Sequence, residues 1–260
     1  MILPGTYANG FAPRDGSPLY PELWRGCVGA WNPGLGVSGL TLRDQSGFNR
    51  HGTLTNGPTF AANQGRYAMS FDGTDDYVSI GNSIAGLSGF AITVSAMVRS
   101  QLIGSNQFIL DASTDPSVGN GVSIRIRDNG TIRFWNYNAN FNANSTGTLS
   151  ANTWYHVAAT WDANISRIYI NGVADGTNTG DSNLLGNTYR IGHSAVLGGP
   201  FNGNIDDIRI YNRALSAQEI RTLATRRGIA YEMAPRRRSS SAVPVTTYST
   251  FRPSVLRGSR

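Results

Sequence analysis

The sequence contains no lysine: all 22 of its basic residues are arginine. It contains one cysteine, Cys27, so no intrachain disulfide can form and a thiolate metal cage is excluded. Within "GCVGAW" that thiol reads as a buried apolar residue. No apolar run approaches the about 20 residues that a membrane helix needs. The opening stretch, "MILPGTYANGFAPRDG", lacks the basic n-region and apolar core of a secretory signal. Glutamate is scarce, and Glu22, Glu219 and Glu232 lie far apart in the chain. Histidine is limited to His51, His156 and His193, with no metal-binding spacing, and neither a serine elbow nor a glycine-rich phosphate loop occurs. These absences weigh against catalysis and against membrane insertion.

What is abundant is glycine, aromatic residues and alternation. With 31 glycines, 10% aromatics and 40% apolar residues the chain reads as globular and turn-rich. "FAITVSAMV" places Phe90, Ile92, Val94, Ala96 and Val98 on one face, and "VSIRIR" does the same with Val122, Ile124 and Ile126. "RIYING" alternates Ile168 and Ile170 with Arg167 and Tyr169, then turns on Asn171-Gly172, a pair that readily takes the positive φ angles of a tight hairpin. Period-two alternation with one apolar face marks half-buried antiparallel sheet. About a dozen such runs, with turns such as "FDGTDD" and "DNG" between them, predict an all-β sandwich of two sheets. One helix start is visible: "SAQE" is a capping box, Ser216 with Glu219, opening a short helix whose apolar stripe is Leu215, Ile220 and Leu223.

The charge is divided unevenly. Residues 1–220 hold 13 Arg and 15 acids, 13 − 15 = −2, whereas residues 221–260 hold nine Arg and one acid, 9 − 1 = +8. The segment from 225 to 260 lacks periodicity and reads as an extended Arg-rich arm; residues 1–20, rich in Pro and Gly, read as a second arm. The expected organisation is an N-terminal arm over 1–20, a sandwich over 21–224 and a C-terminal arm over 225–260.

The segments "TLRDQSGFNRHGTL", "YAMSFDGTDDYVSIG", "FAITVSAMVR", "WYHVAATWD", "RIYINGV" and "FNGNIDDIRIYNRALSAQEI" occur in the order seen in LamG-like domains of the concanavalin A-like lectin/glucanase superfamily. The resemblance covers roughly residues 24–224. It implies an antiparallel jelly-roll sandwich, on which lectins, glycosidases and structural modules are all found, so function must be argued from the site.

For glycoside hydrolysis two carboxyl groups must flank one bond. The Glu-x-Asp-x-x-Glu strand of this superfamily's hydrolases is missing, and Asp206 and Asp207, adjacent on a strand, are expected on opposite faces. His156, in "WYHVAAT", reads as a packed strand residue. No catalytic residue is assigned. The resemblance does imply a structural Ca²⁺ with Asp206, in "DDIRIY", as ligand; the alternative is that Asp206 accepts hydrogen bonds from loop amides. The loop "LRDQSG" is a second source of oxygen ligands.

A binding surface is expected in "TIRFWNYNANFNANS". If Ile132 and Phe134 face the core, Arg133, Trp135 and Tyr137 face away, an arrangement that suits a sugar, a protein partner or a covering loop of the same chain. In the tail, Arg226, Arg227, Arg236, Arg237 and Arg238 are candidate arm contacts. The layout of compact sandwich plus arms resembles phage virion structural proteins. It implies a capsid decoration protein, head fibre or tail component, assembled in the host cytoplasm, with the arms docked on neighbouring subunits. The alternative is a lectin-like carbohydrate-binding module, with or without calcium. Nucleic-acid binding is the weakest reading, since "RRRSSS" is its only support.

Overall fold

The computed structural model describes residues 20–33, 39–63, 66–81, 84, 91–112, 121–136, 142–162, 164–180 and 188–225. The expected arms therefore lie outside the described residues, except for Tyr20 and Thr225. A 3₁₀ turn at Pro21–Leu23 leads into sixteen strands, more than the dozen legible in the sequence. They are β1 (Cys27–Trp31), β2 (Thr41–Leu42), β3 (Gly52–Thr55), β4 (Thr59–Asn63), β5 (Arg66–Asp72), β6 (Tyr77–Gly81), β7 (Ile92–Ser100) and β8 (Gln107–Asp111). There follow β9 (Val122–Ile126), β10 (Thr131–Asn136), β11 (Asn142–Thr148), β12 (Tyr155–Trp161), β13 (Ile165–Ile170), β14 (Val173–Thr179), β15 (Tyr189–Ile191) and β16 (Asn202–Tyr211). Helix α1 (Ala217–Thr225) ends the described chain.

The strands form two sheets of eight. The first runs β14-β13-β12-β7-β16-β5-β4, with β1 also paired to β16; the second runs β11-β10-β9-β8-β15-β6-β3-β2. Every pairing among the described strands is antiparallel. The sandwich expected from the alternation is therefore the fold.

The core lies between the sheets. Ile92, Val94, Ala96 and Val98 of β7 and Val122, Ile124 and Ile126 of β9 all point into it, with Trp31, Phe71, Phe134, Trp161 and Phe201 as its largest members. Each such side chain contributes about 1.5–3 kcal/mol by leaving water. At one edge β11 and β14 tie the sheets together: Thr146 Oγ1 donates to Asp175 Oδ1 at 2.6 Å, and Asn178 Nδ2 donates to the Asn142 carbonyl at 2.8 Å.

A second apolar cluster covers the outer face of the first sheet. Ala158, Tyr169 and Tyr211 alternate with core residues and so face outward, where they meet Leu23, Cys27, Leu215, Ile220 and Leu223. The capping box positions this cover. Ser216 N–H donates to Glu219 Oε2 at 2.8 Å, Glu219 N–H donates to Ser216 Oγ at 3.3 Å, and Arg213 grips the same carboxylate at 2.6 and 3.0 Å. At Ala158, Tyr169 and Tyr211 the first sheet is thus buried on both faces. No described helix crosses the outer face of the second sheet.

Candidate functional site

The Asp206-Asp207 pair sits where β16 changes partners. Asn202–Ile205 pair with β5, and Ile208–Tyr211 pair with β1. Against β7 the register moves three residues on β16, Asp206 to Arg209, for two on β7, Met97 to Ser95. The extra residue is a bulge, and Asp207 takes φ of 49° within it. Because Ile205 and Ile208 both face the core, neither aspartate does. The expectation that the two point to opposite faces is corrected by this bulge, which interrupts the period of two.

Both carboxylates are buried and engaged locally. Asp206 Oδ1 accepts the Asp207 N–H at 2.7 Å. Asp207 Oδ1 accepts Nε and Nη2 of buried Arg209 at 3.0 and 2.7 Å. The Ca²⁺ implied by the resemblance needs six to eight oxygens. Asp207 is turned to Arg209, and no cluster of three acidic or histidine ligands forms around Asp206 among the described residues. Asp44 of the "LRDQSG" loop is likewise occupied, accepting from the N–H groups of Ala30, Ser46 and Arg50 and from Ser46 Oγ. The hydrogen bonds in place make Asp206 and Asp44 clamps on the bulge and on the loop.

His156 is packed on the same side of the first sheet. Its Nε2 lies 2.9 Å from Ser95 Oγ, and both groups are buried. Burial pushes the imidazole down to about 4, opposed by Asp207 and aided by Arg209, so it is neutral at pH 7.

A carboxylate cluster went unnoticed in the sequence, where "FDGTDD" reads only as a turn. Asp72, Asp75 and Asp76 bring ligand oxygens within 4.8 Å of one another. Asp76 Oδ2 accepts the Asp72 N–H at 2.9 Å and Asp72 Oδ1 accepts the Thr74 N–H at 2.7 Å, so the loop uses these oxygens to hold its own turn.

The outer face of the second sheet is built differently. Along the core side, one register row reads Leu54, Val78, Ile191, Leu110, Ile124, Phe134 and Ala143, all apolar. The next row, one residue along each strand, reads Thr53, Ser79, Arg190, Asp111, Ser123, Trp135 and Asn142. Since side chains alternate, this polar row faces outward. Arg133 and Arg125 stand opposite each other beside it on β10 and β9, and Arg125 in turn is opposite Phe108.

Stacking organises these side chains. The Arg125 guanidinium lies 4.3 Å from the Trp135 ring centroid and 5.4 Å from that of Phe108; Arg133 lies 4.9 Å from Trp135. Phe108 and Trp135 themselves meet at 5.8 Å. Further along, Arg190 lies 4.3 Å over Tyr77, which neighbours His193 at 6.2 Å. Arg133 Nε donates to Asn142 Oδ1 at 2.7 Å. Burial lowers the Arg133 pKa, and nearby Arg127 lowers it further.

Of the predicted site residues, Arg133 and Trp135 are brought together, while Tyr137 lies outside the described residues, as do Arg226, Arg227, Arg236, Arg237 and Arg238. Trp135 does face away from the core, but it is only 7% exposed, beneath guanidinium groups rather than open to a sugar ring. Arg125, Arg190 and Asp111 were not singled out in the sequence, because only the register brings them to one face.

No curated protein matches the sequence. Solved structures of like fold include domain 4 of the GH43 extracellular arabinanase AbnA from Geobacillus stearothermophilus, in complex with arabinotriose. It is 20% identical with a TM-score of 0.64, and the alignment covers 76% of this chain and 98% of that one. The binding domain of botulinum neurotoxin DC in complex with SialylT is 17% identical with a TM-score of 0.59, over 78% of this chain and 52% of that one. The binding domain of Paraclostridial Mosquitocidal Protein 1 is 17% identical with a TM-score of 0.61, over the same shares. The chain thus spans about half the length of these two toxin domains. A family model matches residues 72–221, more than half of the sequence, and the chain belongs to the concanavalin A-like lectin/glucanases superfamily.

Proposed function

We propose that this chain is a non-catalytic, lectin-like module that binds carbohydrate on the outer face of its second sheet. The observation that carries this reading is the asymmetry of the sandwich. The outer face of the first sheet is covered at Ala158, Tyr169 and Tyr211 by α1 and the 3₁₀ turn, whereas that of the second carries a polar row, buried at Asp111, Ser123 and Trp135 and half-buried at Ser79 and Arg190, with stacked arginine and aromatic side chains. Directional N–H and O–H groups over a flat sheet suit sugar hydroxyls, and rigid neighbours hold them in place at low entropic cost. The arabinanase domain bound to arabinotriose and the toxin domain bound to SialylT lend support, as examples of the same fold in carbohydrate recognition.

Catalysis is not part of the proposal. Among the clustered carboxylates Asp72, Asp75 and Asp76, the first and last hold their own turn, and Asp111 is the one carboxylate in the polar row. The Arg-rich segment, +8 against −2 for the rest, is proposed to attach the module to a larger assembly such as a virion.

Affinity electrophoresis of the full chain through gels containing neutral or acidic plant polysaccharides tests the reading. At least one polymer should retard the protein. Ser79→Trp, which places an indole in the middle of the polar row, should abolish the retardation with an unchanged melting temperature. Retardation by no polymer, or retardation indifferent to Ser79→Trp, overturns it.

A further inference from the structure

Resting on that reading, we infer that the ligand is an acidic polysaccharide lying across the strands, with anionic groups seated at Arg133 and Arg190. Among the described residues, the outer face of the second sheet carries three guanidinium groups, Arg125, Arg133 and Arg190, and one carboxylate, Asp111. Among the described residues neither Arg133 nor Arg190 makes a salt bridge. Arg190 Nε is buried without a hydrogen-bond partner among them, and so is Ser123 Oγ in the same row. Buried donors left unmatched are costly, and an anion is the group that satisfies a guanidinium best.

The stacking explains why charge and not a ring surface is presented. Each guanidinium sits close to an aromatic ring: Arg133 Cζ lies 4.9 Å from the Trp135 centroid and Arg190 Cζ 4.3 Å from that of Tyr77. A guanidinium beside a ring keeps the N–H donors whose fork matches a carboxylate or sulfate. The 7% exposure of Trp135 leaves too little ring for a sugar to stack upon. Burial and the neighbouring Arg127 both disfavour the charged form of Arg133, and a bound anion relieves both.

The spacing sets the ligand's shape. Arg133 is on β10 and Arg190 on β15, with β9 and β8 between them. Three strand steps of about 4.8 Å, with an offset of two residues of about 3.3 Å along the strand, place their backbones about 16 Å apart. One monosaccharide does not reach both, whereas an extended chain with repeated acidic groups does.

The test measures binding of the full chain to polygalacturonate, to neutral arabinan and to single-stranded DNA by affinity electrophoresis and calorimetry. Polygalacturonate should bind, more weakly as salt rises, and galacturonic acid monomer should not compete at equal residue concentration. Arg133→Gln and Arg190→Gln should each weaken binding about tenfold, and about a hundredfold together, as expected for separate sites. Arg190→Lys, which keeps the charge, should retain part of the affinity, and melting curves confirm that each variant is folded. If arabinan binds as well as polygalacturonate and Ser79→Trp abolishes both, the carbohydrate reading stands and the acidic specificity is wrong. Binding of polygalacturonate unchanged in the double Gln variant assigns it to the Arg-rich segment and overturns the inference. Equal, competing binding of single-stranded DNA overturns it in favour of a nucleic-acid surface, and no binding to any polysaccharide overturns both readings.

Discussion

Acid should destabilise this protein through His156. The imidazole is buried, with Ser95 Oγ at 2.9 Å from Nε2, and burial pushes it from 6.5 down to about 4. Asp207 favours the charged ring and Arg209 opposes it, and burial outweighs the attraction of Asp207. The unfolded chain takes up this proton near pH 6.5 and the folded chain only near 4. Stability from His156 is therefore complete above about pH 6.5 and is lost as pH falls toward 4. At about 1.4 kcal/mol per unit the whole effect is about 3 kcal/mol, of which about 2 is lost by pH 5. For a domain of this size that corresponds to a fall in melting temperature of about 4–8 °C. The assay is urea denaturation at pH 8, 7, 6 and 5 for the natural chain and for His156→Gln, whose amide can still meet Ser95 but does not titrate. Other groups titrate alike in both proteins, so the difference between the two curves isolates His156. The natural chain should lose ground to the variant as pH falls. Parallel curves from pH 8 to 5 would refute the argument, whatever the variant's stability at pH 8.

Two other outcomes follow from the clamp and from the charge partition. Asp206→Ala should cost about 1–3 kcal/mol, because the Asp207 N–H in the buried bulge loses its acceptor. EDTA should leave the melting temperature of the natural chain unchanged, and a chelator-dependent drop that Asp206→Ala removes would restore the calcium site. Residues 226–260 carry eight Arg and one Glu, so deleting them changes the formal charge from +6 to 6 − 7 = −1. The shortened chain should melt within a few degrees of the full one, since α1 and both clusters are retained, yet lose retention on a cation exchanger at pH 7. A collapse in stability would show that the segment is part of the sandwich.

The fold was legible where a strand is long enough to display its period. Ile92, Val94, Ala96 and Val98 reveal the core face of β7, and Ser216 with Glu219 reveals the start of α1, because those signals are local. The two residues of β2 and the three of β15 cannot show alternation, which is why the sequence yields too few strands. The bulge at Asp207 is hidden for another reason. Aspartate tolerates φ of 49° but does not demand it, so nothing in "NIDDIRIY" announces the extra residue that turns both carboxylates from the core.

The candidate site lies beyond the reach of local patterns altogether. Ser79, Asp111, Ser123, Trp135 and Arg190 come from five strands, and each alone is an ordinary outward residue of an alternating run. Their meaning comes from register: a slip of one residue on any strand would send its member into the core row and a core residue outward. The apolar row from Leu54 to Ala143 resists such a slip, because every strand would have to bury a polar side chain among Val78, Leu110 and Phe134. The packing between the sheets therefore fixes the order of donors and rings on the far face of the second. That couples the site to the core: a substitution such as Leu110→Ala, which loosens the row beneath Asp111, should disturb ligand binding through a residue no ligand can touch.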